Sequence, residues 1–162
     1  MDRDLITAVL ESGAPDAVEA LLEAEQTVFW VDWRDEDESI AGYCEEILQT
    51  GSLAAELVEN NTDERGELLF LYRHKREKVP LTFSRQDRHI TLYALNRILE
   101  PDYEIRFCIA SAGSDTLAFL PLAAIDWLEL EDQFGEVVDQ HFCRIAETPN
   151  LFTESKKFGG EV

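Results

Sequence analysis

The sequence predicts an α+β protein, with one globular domain over residues 1–150 and a mixed sheet of about four to five strands. The chain has 162 residues and is 45% apolar, which suits one domain with one hydrophobic core. Segments with apolar residues at helical spacing are interspersed with short β-branched or aromatic runs, and one pair of runs has the form of a hairpin. Residues 151–162 are polar, and we predict a flexible C-terminal tail there.

The N-terminal third is predicted to be mostly helical. Two short amphipathic helices come first, and Pro15 opens the second of them. The β-branched and aromatic run 27–31 predicts a strand. A helix is expected over 38–49, and Ser52 is a plausible N-cap for a short helix over 53–58.

The middle of the chain is expected to contain a central strand followed by a helix. Residues 67–73 form a nearly continuous apolar run, which is typical of a central strand. Residues 74–78 form a basic connection, and 79–83 are expected to form a short edge strand. Ser84 is expected to cap a helix that ends near residue 99.

The C-terminal part predicts a β-hairpin and two further elements. Alternation over 103–109 and the apolar run 116–120 indicate the two hairpin strands. A helix is expected over 123–134, and residues 137–145 form either a short helix or a helix and a terminal strand. The side chains expected on the inner face of the 123–134 helix are Ile125, Leu128 and Trp127.

Charge is the most informative bulk property. The chain has 14 basic and 34 acidic residues, a net charge of −20. The net charge is −15 over residues 1–66, +2 over 67–110 and −7 over 111–162. Such a field attracts basic proteins and repels nucleic acid and anionic membranes, so we expect neither of the latter as partners. Acidity that serves solubility alone is the alternative.

The search for catalytic, metal and cofactor motifs is negative. His141 and Cys143 form the one close His/Cys pair, with no further ligands at zinc spacing. A calcium-loop spacing begins at Asp35, but Ile40 stands where that loop needs glycine. Phosphate-binding loops and nucleophile elbows are also missing. We therefore predict no enzyme activity, no metal and no cofactor, and we expect the three cysteines to be reduced thiols.

The segment 29–39 combines aromatic and acidic residues in the way that protein interfaces do. An aromatic side chain can fill a pocket on a partner while neighbouring carboxylates meet lysine or arginine. Trp30 is expected to be a core residue. The predicted partner-binding residues are Trp33, Asp35, Glu36, Asp37 and Glu38. The alternative for Trp33 and its acids is a core tryptophan beside solvated carboxylates.

The passage from Asp115 to Gly135, followed by Val137, Val138 and Phe142, resembles the small acidic immunity proteins of bacterial polymorphic, contact-dependent and type VI secreted toxin systems. It covers about a quarter of the chain, a strand, a Trp-bearing helix and a short return. Such families share no universal motif, so no functional residue is carried over. The resemblance implies a protein that binds and neutralises a cognate basic toxin domain.

The expected location is the cytoplasm. The N-terminal residues include acids and lack the basic region of a secretory signal, and no apolar run approaches the roughly 20 residues that span a bilayer. Two other functions stay open: an adaptor or chaperone for a basic secreted effector, and a small enzyme whose site the fold assembles, with Cys143 and His141 as candidates. A DNA mimic that captures a nucleic-acid-binding protein is a variant of the inhibitor hypothesis.

Overall fold

In the computed structural model, which describes residues 2–60 and 63–154, helices and antiparallel strands combine as the predicted α+β class. The helices are α1 (Arg3–Ser12), α2 (Pro15–Leu22), α3 (Asp37–Leu48), α4 (Asp87–Leu99), α5 (Ala124–Phe134) and α6 (Val137–His141). The strands are β1 (Phe29–Asp32), β2 (Ala54–Asn60), β3 (Asp63–Tyr72), β4 (Lys75–Lys78), β5 (Tyr103–Cys108), β6 (Thr116–Ala123) and β7 (Phe142–Arg144). A short 3-10 helix, Ile109–Ser111, follows β5. None of the helices in these described ranges is both long and apolar enough to cross a membrane.

The strands form two separate antiparallel sheets instead of the single mixed sheet that we expected. One sheet has four strands in the order β1-β6-β5-β7, and the other has three in the order β2-β3-β4. The difference arises because residues 54–78 pair locally as a meander, whereas β1 and β7 pair with the predicted hairpin of β5 and β6. As predicted, the apolar run in β3 lies in a central strand, between β2 and β4.

The four-stranded sheet separates two hydrophobic cores. One face, with side chains such as Phe107 and Phe119, packs against α3, α4 and the three-stranded sheet. The opposite face, with side chains such as Leu120 and Leu122, is covered by α1, α2, α5 and α6. Alternation along each strand produces this division, since neighbouring side chains point to opposite faces. The result is an outer layer of four helices, which we call the helical layer.

The ends of α1 and α2 follow local signals. The Asp2 carboxylate accepts hydrogen bonds from the backbone N–H groups of Asp4 and Leu5, which caps the N-terminus of α1. Gly13 ends the helix in a left-handed conformation with φ of 61° and donates its N–H to Val9 O. Pro15 then occupies the first turn of α2, as predicted.

Three predictions between residues 53 and 83 are wrong. Residues 53–58, predicted as a helix, lie mostly in β2, because pairing with β3 across the meander overrides their helical spacing. The predicted connection 74–78 is instead largely β4. The predicted strand 79–83 is irregular beyond the Val79 N–H bond to Leu68 O, since Pro80 has no N–H to donate.

The start of α4 also differs from the prediction. The N-cap of α4 is Gln86 and not the predicted Ser84, and the helix begins at Asp87. The Asp87 carboxylate accepts from the backbone N–H groups of Thr82 and Phe83 and so fixes the preceding turn. Residues 137–145 resolve as the helix-and-strand alternative, α6 and β7. Of the predicted tail, Leu151 is buried and donates its N–H to His89 Nδ1 at 3.2 Å, and residues 155–162 lie outside the described part.

Candidate binding surface

The acidic segment 33–38 forms the turn from β1 into α3, and much of its charge is compensated within the protein. The Arg34 guanidinium binds the Asp32 carboxylate at 2.9 and 3.0 Å, and this bond lowers the pKa of Asp32. Asp35 accepts the backbone N–H of Asp32 at 2.9 Å, which closes the turn. These two carboxylates therefore have structural partners of their own.

Asp37 is nearly buried and has partners inside the protein, which argues against its predicted binding role. Its residue is only 8% exposed, and its Oδ1 lies 2.7 Å from Thr91 Oγ1 and 3.0 Å from Arg88 Nε. Burial raises the pKa of the Asp37 carboxyl, although the Thr91 hydrogen bond and the Arg88 charge oppose that shift. The group joins α3 to α4. Sequence spacing could not reveal the contact with Thr91, which lies 54 residues from Asp37 in the chain.

The two tryptophans of β1 and its turn differ from expectation. Trp30 is 39% exposed and not a core residue, because it points to the side opposite Phe29 and Val31 and donates its Nε1–H to Leu22 O at 3.0 Å. Trp33 is partly buried, and its ring lies 5.8 Å from the Arg34 guanidinium and 5.3 Å from that of Arg85. The Trp33 ring therefore already has two cationic neighbours from its own chain.

The local charge around this segment is therefore small. Its five carboxylates belong to Asp32, Asp35, Glu36, Asp37 and Glu38. Arg34 and Arg88 form ion pairs with two of them, and Arg85 lies over the neighbouring Trp33 ring. The net charge of this group is −2. Of the five predicted binding residues, Glu36 is exposed and Glu38 is half-buried, and no ion pair holds either of them among the described residues.

The helical layer has the larger number of carboxylates without an ion pair. Its four helices contain nine carboxylates, with two in α1, two in α2, four in α5 and one in α6, and a single Lys or Arg, which is Arg3. The net charge of these helices is −8, and seven of the nine acidic residues are exposed. Arg3 itself pairs with Asp126 at 3.1 Å and with Glu129 at 3.3 Å. Most of the other described Lys and Arg residues lie in or beside β4 and α4.

Several carboxylates of the layer face solvent without a compensating cation. Within the described ranges, the acidic residues of these helices that form no ion pair are Asp4, Glu11, Asp16, Glu19 and Asp132. The start of α1 and the segment 23–27 also line a cavity of about 580 Å³ that is open to solvent. The carboxylates that line the cavity belong to Asp2, Asp4, Glu23 and Glu25. The layer thus offers both an acidic face and an acidic recess.

A buried arginine of the four-stranded sheet, Arg106 in β5, contacts helix α5 of the helical layer. Arg106 is 1% exposed, and its guanidinium lies 4.2 Å from the Trp127 ring centroid of α5. It also lies 3.0 Å from a Glu104 oxygen and 3.5 Å from a Glu131 oxygen. Cation–π and ion-pair contacts of this kind are strong only when water is excluded. Arg106 therefore fixes the position of α5 on the sheet.

The candidate enzyme groups do not converge. The Cys143 thiol points to Arg144 O at 3.3 Å, and burial raises the pKa of Cys143, which disfavours a nucleophilic thiolate. His141 forms no hydrogen bond with Cys143 in the described structure, and burial lowers the pKa of its imidazole. No group of three or more metal-ligating side chains occurs within residues 2–60 and 63–154.

The sequence prediction placed the wrong aliphatic side chains on the inner face of helix α5. Ile125 and Leu128, predicted to be inward, are 60% and 61% exposed, whereas Trp127 and Leu130 are buried. The stronger stripe is Trp127, Leu130 and Phe134, at spacings of three and four, and the Trp127 Nε1–H bond to Glu104 O at 2.8 Å fixes it inward. Comparing the two possible stripes by side-chain volume would have selected the correct one.

No protein-family model matches this chain, and comparisons with the curated proteins and with the solved structures give no significant match. The functional interpretation therefore depends on the surface and its charges.

Proposed function

We propose that this protein is a cytoplasmic immunity-type inhibitor, which binds a basic toxin domain through the acidic helical layer and neutralises it. The observation that supports the proposal is the segregation of charge: nine carboxylates and one arginine in the four helices of one face. Like charges crowded on one face repel each other and cost stability, and a cationic partner would relieve that repulsion.

The same charge would make capture fast. Complementary electrostatic fields can raise association rates to about 10⁸–10⁹ M⁻¹s⁻¹ at low salt, compared with about 10⁵–10⁶ without steering. An inhibitor that meets a toxin inside the cell benefits from such speed. A nuclease toxin has a basic cleft for its phosphate substrate, and the acidic face would occlude it by occupying the positions of phosphates.

The structure changes which surface we propose for this role. The predicted residues 33–38 retain Glu36 and Glu38 as their free charges, since Asp37 and Asp35 have partners inside the protein. Counted by ion pairs alone, the helical layer has five unpaired carboxylates among the described residues, and the segment 33–38 has three. We therefore propose the helical layer as the main contact surface, with Glu36 and Glu38 outside it on the α3 side.

Affinity capture tests the function. The tagged protein is used to recover binding proteins from lysate of its native cells, with washes at low and at high salt, and mass spectrometry identifies them. The expected result is one stoichiometric basic protein, toxic when expressed alone and harmless when co-expressed with this protein. A partner that keeps its activity while bound would favour the adaptor alternative, and an acidic partner or none would contradict the proposal.

A further inference from the structure

Helix α5 presents an apolar pair to solvent within the acidic layer. Ile125 and Leu128 lie one turn apart on the outer face of α5, and more than half of each residue is exposed. Glu129 and Asp132 share their stripe, at the spacings i+4 and i+7 from Ile125. The pair is therefore an apolar spot edged with two carboxylates, of which Glu129 pairs with Arg3 and Asp132 forms no ion pair among the described residues. Isolated exposed aliphatic residues are common, but two adjacent ones on one rigid helix make a contiguous patch.

The exposure is not a consequence of poor packing of the helix. The inner face of α5 is fully covered, with Trp127 at 1% and Leu130 at 0% exposure. Arg106 stacks beneath Trp127, and Arg3 joins the outer edge of α5 to α1 through Asp126 and Glu129. The patch thus lies on a helix that is fixed on the sheet side and at one edge, which lowers the entropy cost of binding there.

We infer that the outer face of α5 is the anchor point for a basic amphipathic helix of the partner protein, with Ile125 and Leu128 as the buried contacts. This inference rests on the proposed function and specifies its site. The occupant follows from charge complementarity, because only an apolar segment flanked by lysine or arginine satisfies both the aliphatic pair and the carboxylates around it. A second copy of this chain would bring like charges together and is disfavoured.

A synthetic peptide serves as the probe. It has 18 residues, leucine on one helical face and lysine on the other, and a control peptide of equal charge replaces each leucine with serine. Isothermal titration calorimetry at low ionic strength measures binding of each peptide to the wild-type chain, to a double variant of the α5 pair and to a single control variant. The test variant is Ile125→Ser with Leu128→Ser, and the matched control is Leu57→Ser, which changes another exposed leucine (56% exposed) on the three-stranded sheet.

The expected result is that the Leu/Lys peptide binds the test variant about tenfold more weakly than the wild type or worse, since two aliphatic contacts are lost. Leu57→Ser is expected to change binding less than twofold. Equal binding of the Leu/Lys peptide to all three proteins, or equal binding of the two peptides to the wild type, would overturn the α5 anchor and leave electrostatic capture standing. Failure of both cationic peptides to bind the wild type would overturn the anchor and also count against the proposed function.

Discussion

Replacing Arg106 with methionine tests the link between the buried guanidinium and the helical layer. Methionine keeps most of the aliphatic packing of arginine but removes its charge and its donors. In the structure the guanidinium contacts the Trp127 ring and the carboxylates of Glu104 and Glu131. Arg106→Met therefore removes one stacking contact and the ion pairs that the buried guanidinium forms with Glu104, Glu131 and, at 4.0 Å, Asp139.

The expected loss follows from those contacts. A desolvated cation–π contact contributes about 2 kcal/mol, and removing one partner of a buried ion pair costs about 3–5 kcal/mol. The Glu104 and Glu131 side chains are 27% and 26% exposed, so water can rehydrate them and the loss falls near the lower end. We expect Arg106→Met to lower the free energy of unfolding by about 3 kcal/mol. For a chain of this size that corresponds to a fall in Tm of about 6–12 °C.

Urea unfolding followed by tryptophan fluorescence measures the loss, and Arg97→Met is the matched control. Arg97 is exposed on α4 and forms no ion pair among the described residues, so its replacement should change the free energy of unfolding by less than about 0.5 kcal/mol. If Arg106→Met is no more destabilising than Arg97→Met, the guanidinium does not support the layer and the reasoning fails.

Three further predictions concern pH, backbone strain and thiol reactivity. His89 accepts the Leu151 N–H at Nδ1, and burial lowers the pKa of the His89 imidazole. The stability that neutral His89 contributes is therefore complete above about pH 6.5 and falls as the pH drops below that value. An NMR titration should give His89 a pKa below about 6.5, and a higher pKa would contradict the contact. Gly66→Ala should lower the free energy of unfolding by more than about 1 kcal/mol, because Gly66 has φ of +74° and an added Cβ would lie 2.7 Å from Val58 O. Unchanged amide hydrogen exchange in strands β2 and β3 of the variant would refute this prediction. A thiol reagent should label Cys143 first and should label the buried Cys44 and Cys108 only when the protein unfolds. Labelling of all three thiols at the same rate would contradict the burial of Cys44 and Cys108.

The sequence predicted those parts of the fold that local signals determine. Gly13 and Pro15 separate two helices, and the runs around residues 105 and 119 form a hairpin, because turn chemistry and alternation act over a few residues. Residues 53–58 were mispredicted for the complementary reason. Their apolar spacing fits a helix, and only pairing with β3 makes them a strand.

The candidate surface was harder to predict because it depends on contacts between distant residues. The sequence predicts Asp37 as a partner-binding residue, but Thr91 and Arg88 on α4 contact its carboxylate. It predicts Trp30 as a core residue, but β1 lies at the edge of its sheet and leaves Trp30 exposed. The acidity was visible in the composition, but its concentration in four helices on one face needed the topology that brings residues 3–22 and 124–141 together.

The most direct test compares two charge reversals of equal size on the two sides of the molecule. Glu19→Lys with Asp132→Lys changes exposed residues of the helical layer, and Glu36→Lys with Glu46→Lys changes exposed residues on the α3 side. Stopped-flow association of the partner recovered by affinity capture is measured for both variants over a range of salt concentrations. We predict that the helical-layer variant associates about tenfold or more slowly at low salt, with a weaker salt dependence, while the α3-side variant stays within about threefold of the wild type. Equal slowing of both variants would show that only the total charge matters, and greater slowing of the α3-side variant would place the interface at the other surface.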